Sequence, residues 1–120
     1  MLFHVFSSQE ERRTFGGSAF VEIQFCKLPA GTKEKKLVAV RSINNWKNDS
    51  LYIYAEDLDT FHREYNPILS CEICGINYYP PSSIDLVIEK LNIDKPTDFE
   101  QLIAWLIEAK HHNGFYILGI

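Results

Sequence analysis

Residues 95–120, KPTDFEQLIAWLIEAKHHNGFYILGI, form the stretch whose start, face, stop and continuation all read in one way, and they commit the chain to laying a helix on a sheet. Thr97 with Glu100 three residues on predicts a capping box, in which each side chain satisfies an orphan backbone donor of the first turn. Asp98 adds negative charge at the positive end of the helix. Phe99, Leu102, Ile103, Leu106 and Ile107 recur at three- and four-residue spacing and so share one face. Gly114 offers the positive φ that ends a helix, and the apolar run at 115–120 is too short for a second one, which predicts a terminal strand. Such a unit has to bury its apolar side against other strands.

Those strands are expected upstream. Residues 2–6 read as a first short strand, followed by an exposed connection through the QEERR run and Gly16-Gly17. From Ala19 the pattern alternates, with Val21, Ile23 and Phe25 on one side and Glu22 and Gln24 on the other, the period of a half-buried strand. The polar PAGTKEKK segment at 29–36 and the apolar run at 37–40 predict a hairpin with lysines at its tip. A second turn, NNWKNDS, leads into LYIYA at 51–55, a third strand.

The period then changes: Leu58, Phe61, His62 and Tyr65 have helical spacing, with Asp57 at the N-cap and Pro67 as the stop. Residues 68–79 are rich in β-branched and aromatic side chains and predict a strand with Gly75 as a bulge. After Pro80-Pro81, Ser82 or Ser83 caps a helix whose Ile84, Val87, Ile88 and Leu91 line one face, and Pro96 separates it from the last helix. At 120 residues the chain is expected to be one domain, 1–120, long enough to bury a core without staples. The expected fold is α+β, an antiparallel sheet of about five strands covered on one face by two or three helices. Val21, Ile23, Phe25, Val38, Val40, Ile53, Leu102, Ile103, Leu106 and Ile107 are the expected core.

Composition narrows the function. A net charge of −4 disfavours nucleic acid as the partner, since binding to phosphates is driven by lysine and arginine displacing counterions. No stretch approaches the ~20 apolar residues of a membrane span. Glu10, Glu11, Arg12 and Arg13 follow the apolar start with no small-residue cleavage site, unlike a secretory signal. Three cysteines without framework spacing fit a reducing compartment, so a cytoplasmic protein is expected.

Candidate chemistry is sparse. Cys71 and Cys74 have the spacing of a zinc half-site or redox pair, but no second close pair completes four ligands, and two buried structural thiols are the better reading. His111-His112 point ~100° apart on a helix and suit its negative end better than a shared metal. Gly16-Gly17 lacks the ending of a phosphate loop and the spacing of a dinucleotide fingerprint, so no cofactor or metal is expected. His62 stands near acids without a nucleophile at a telling spacing.

The sharpest local feature is acidic and aromatic. Glu56, Asp57, Asp59 and Glu64 fall within nine residues, flanked by Tyr54 and Tyr65, and such a patch can dock a basic protein, charge speeding encounter and tyrosines giving residence time. A small acidic α+β chain carrying LYIYAEDLDTFHREY across a strand-to-helix junction resembles the immunity proteins of bacterial contact-dependent and polymorphic toxin systems. The resemblance is one of overall type over the whole chain and transfers no residue role. It implies a tightly bound cognate toxin, commonly a nuclease, hence a basic one. Two other classes stay open: a small acid–base enzyme using His62 with Asp59 or Glu64, and a module that self-associates through the same surface.

Overall fold

The computed structural model describes residues 1–14, 19–39, 43–44, 46–72 and 74–119. β1 (Phe20–Phe25) is the strand around which the other elements assemble, flanked on one side by β2 (Leu51–Tyr54) and on the other by β4 (Phe115–Leu118), with β3 (Ile76–Tyr79) outside β4. All three pairings are antiparallel, with Ile23 opposite Leu51 and Ile117. Among the described residues the sheet therefore has four strands rather than five.

The two missing strand assignments have separate causes. Residues 2–6 lie beside β2 but touch it through one bridge, His4 with Tyr52, whose backbones exchange two hydrogen bonds. The chain leaves the ladder because the Leu2 N–H donates to Asp98 Oδ2 at 2.7 Å and Phe3 is buried with the helices. The PAGTKEKK turn leads into a single helical turn, α2 (Glu34–Leu37), instead of a returning strand. Glutamate, lysine and leucine are good helix formers, and only Leu37 there has a core to enter. Val38 is exposed, and Val40 and Gly16-Gly17 lie outside the described residues.

Three helices cover one face. α3 (Leu58–Leu69), α4 (Ile84–Asp94) and α5 (Phe99–Ala109) place Phe61, Tyr65, Ile84, Leu91, Leu102 and Leu106 against Val21, Ile23, Phe25, Ile53 and Ile117. α3 runs through Pro67 because Ile68 and Leu69 are both buried and pull the last turn onto the core. Ser70, in the left-handed region, closes it by donating to the Asn66 carbonyl. The strand expected over 68–79 is thereby shortened to 76–79. On α5 the buried face is Leu102, Leu106 and Ala109, with Phe99 and Ile103 half-buried, while Ile107 is 52% exposed, turned a further ~100° away.

The expected capping box does not form. The Thr97 N–H and hydroxyl donate instead to Glu64 of α3, and Asp98 takes the N-cap position with φ +56. Ser83 likewise occupies the N-cap position of α4 without a side-chain cap, its hydroxyl donating to the Pro80 carbonyl. Gly114 holds φ +86 as expected, and for a second reason: a Cβ there would lie 2.1 Å from the Tyr79 carbonyl oxygen.

The opposite face of the sheet is covered too, which the one-sided expectation missed. α1 (Gln9–Thr14) and residues 26–39, 43–44 and 46–50 lie over it, burying Phe6, Phe20 and Tyr52 in one cluster and Cys26, Leu37, Tyr116 and Leu118 in another. Glu22 and Gln24, expected in solvent, are 4% and 5% exposed. Among the described residues, no helix is long and apolar enough to cross a membrane.

Candidate functional site

The acidic stretch is carried by a short 3-10 turn, Ala55–Asp57, between the outer strand β2 and α3. The Ala55 N–H donates to the Ala19 carbonyl, so the turn continues the β1–β2 ladder before the chain swings into the helix. Tyr54 ends β2 half-buried, its ring 4.3 Å from that of His4 and 5.0 Å from that of Phe20. Burial pushes its phenol pKa up, and the charges of Glu56 and Asp57 push it further. The same Asp57 raises the His4 pKa, against a larger lowering by burial.

Glu56 and Asp59 are exposed, and Asp57 is half-buried at the N-cap position of α3 without making a side-chain cap bond. Asp59 meets Arg63 one turn on at 3.1 Å, but with side chains 94% and 63% exposed the pair contributes little and leaves the acid open to a partner. Tyr54, Glu56, Asp57 and Asp59 therefore sit together at one corner of the fold.

The other two expected members do not join them. Tyr65 is fully buried, its ring 5.4 Å from Phe3 and 5.3 Å from Phe61, its hydroxyl donating to the Thr97 carbonyl. Burial raises its pKa, with Asp98 and Glu64 adding to the rise. It is a core side chain that ties α3 to the start of α5. Glu64 accepts from the Thr97 N–H at 2.9 Å and the Thr97 hydroxyl at 2.8 Å, and these bonds hold its carboxyl below the usual glutamate range. It acts as the cap that Glu100 was expected to supply.

The acid–base pair proposed around His62 is not assembled. His62 is exposed, Asp59 faces Arg63, and Glu64 is engaged by Thr97. Of the two close-spaced cysteines, Cys71 is buried, with its thiol pKa pushed up by burial, whereas Cys74 is exposed, so they are not two buried thiols. Ile73 between them lies outside the described residues. Among the described residues, no three histidine, cysteine or acidic side chains gather as metal ligands would. His111 and His112 follow α5, as expected for its negative end, with the His112 ring 4.7 Å from Phe25. They border an open groove of about 490 Å³ with Cys26, Lys27 and Pro81.

Two polar residues of the covered face carry structure that the sequence pattern did not reveal. Glu22 accepts from the N–H groups of Trp46 and Lys47 at 2.8 and 3.1 Å, from Ser50 Oγ at 2.7 Å and from Gln24 Nε2 at 3.0 Å. Arg12, 6% exposed, lies with its guanidinium carbon 3.5 Å from the Trp46 ring centre and 5.0 Å from that of Phe20. An alternating strand shows only that Glu22 faces away from Val21, and QEERR reads as an exposed run; neither pattern says that residues far along the chain fold over them. Compared with protein-family models, curated proteins and solved structures, the chain matches none.

Proposed function

We propose that this domain is a protein-binding inhibitor, an immunity protein that neutralises a cognate bacterial toxin in the cytoplasm, and that it docks a basic partner with the corner formed by Tyr54, Glu56, Asp57 and Asp59. The observation that carries the reading is the placement of Glu56 and Asp57 on one short turn, with Tyr54 at the end of the strand before it and Asp59 in the first turn of the twelve-residue helix after it. An interface residue is useful when its backbone is already ordered, because little freedom is then lost on binding. Tyr54 supplies a partly buried aromatic body, and the acids surround it with charge.

The basic partner follows from electrostatics. An enzyme that works on nucleic acid attracts phosphates with positive charge, and an inhibitor with net charge −4 exploits the same field. Glu64 and Tyr65 enter this reading only as the scaffold beneath the turn. Glu56→Lys with Asp59→Lys should slow association with the toxin about tenfold at low salt and flatten its salt dependence. Tyr54→Ala should mainly speed dissociation. The assay is growth rescue of cells expressing a toxin encoded beside this gene, with binding rates measured on the purified pair. Full rescue and unchanged rates in both variants would remove this corner from consideration.

A further inference from the structure

We propose that the small cavity between α1 and residues 46–48 is a binding site for one monatomic anion, with chloride the physiological occupant. The site is built around Arg12. This side chain is buried, and its Nε and Nη1 atoms are shut off from solvent with no hydrogen-bond acceptor among the described residues. A guanidinium stays charged under all ordinary conditions, and its in-plane N–H groups need acceptors in the plane of the fork. Trp46 and Phe20 serve its faces, which leaves the edge unsatisfied. A buried charged donor without a partner is among the least favourable groups a fold can hold.

The adjoining cavity has the size and the lining to answer this. At about 10 Å³ it has room for one body of water size, and a halide, slightly larger, enters it with a small outward shift of the side chains. Its walls include Arg12, Lys47, Gln9, Asn48 and Tyr52: two cations and, among the described residues, no carboxylate. Glu22 lies on the other side of Tyr52 and accepts from Trp46, Lys47, Ser50 and Gln24, with the Tyr52 hydroxyl at 3.4 Å, and among the described residues it makes no ion pair with Arg12. The Lys47 backbone is held on both sides of its Cα, its N–H donating to Glu22 and its carbonyl accepting from the Tyr52 hydroxyl. Its ammonium makes no ion pair among the described residues. A water would satisfy the donors and leave the two charges; a halide satisfies both.

Arg12→Met removes a side chain that packs under α1 and can unfold that corner, so Lys47→Met carries the test. The melting temperature of the full chain should rise saturably as chloride replaces gluconate at constant ionic strength. Lys47→Met should remain folded and move the half-saturating chloride concentration up about tenfold, the loss of one charge-assisted contact. Crystals soaked in bromide should show an anomalous peak within hydrogen-bonding reach of Arg12 Nε and Nη1. Superimposable melts in chloride and gluconate, an unshifted chloride dependence in Lys47→Met, or an ordered water without bromide signal at Arg12 would each overturn the assignment.

Discussion

Replacing Glu22 tests how the second face of the sheet is held. Its Oε2 accepts from Lys47 N–H, Ser50 Oγ and Gln24 Nε2, with the Tyr52 hydroxyl farther off at 3.4 Å, while Oε1 accepts from Trp46 N–H. Glu22→Gln keeps the shape and removes the charge. The least costly rotamer leaves the amide oxygen where Oε2 was and turns the NH₂ toward the Trp46 N–H, donor against donor. One stranded backbone donor costs ~1–3 kcal/mol, and the bonds that remain lose their charge assistance, so about 2–4 kcal/mol of stability should go. Glu22→Leu strands the whole set and should cost more, a large part of the ~5–15 kcal/mol typical of a domain. Urea unfolding followed by circular dichroism measures the difference, and the Glu22→Gln, Ser50→Ala double-mutant cycle should return a coupling near 1 kcal/mol. A Glu22→Gln variant within ~0.5 kcal/mol of the parent, or a cycle with no coupling, would show that the carboxylate does not organise residues 46–50.

Leu106→Ala should cost ~2–5 kcal/mol because Leu106 is fully buried, whereas Ile107→Ala should stay within ~0.5 kcal/mol; equal losses in chemical denaturation would mean that α5 is turned on its axis. Glu64 makes acid stability informative. Its folded pKa is lowered below the ordinary 4.5 by the Thr97 bonds, so its contribution is present above about pH 4.5 and disappears as pH falls through the lower folded value. The stability gap between the parent and Glu64→Gln should therefore shrink on acidification through that window, and a gap that does not change with pH would exclude Glu64 as the ionised cap of Thr97.

The α+β class, the buried stripes of β1 and α4, that of α5 apart from Ile107, the break at Gly114 and the surface position of Glu56 and Asp59 were legible in the sequence, because each follows from a periodicity or turn preference acting over a few residues. What the tertiary structure decided involves groups far apart in the chain competing for one another. Thr97 had a local partner in Glu100 and took Glu64, 33 positions away, because α3 packs there. Tyr65 shares a helix with His62 and Glu64, yet only it points at Phe3, which turns an expected surface anchor into core. Pro67 should have ended a helix, but two buried residues beyond it outweighed one lost N–H. Alternation along β1 told which residues oppose each other and not whether the second side meets water. That was settled by α1 and residues 46–50 folding over it, whose burial of Glu22 and Arg12 is favourable only once the donors and aromatic rings from elsewhere in the chain have arrived.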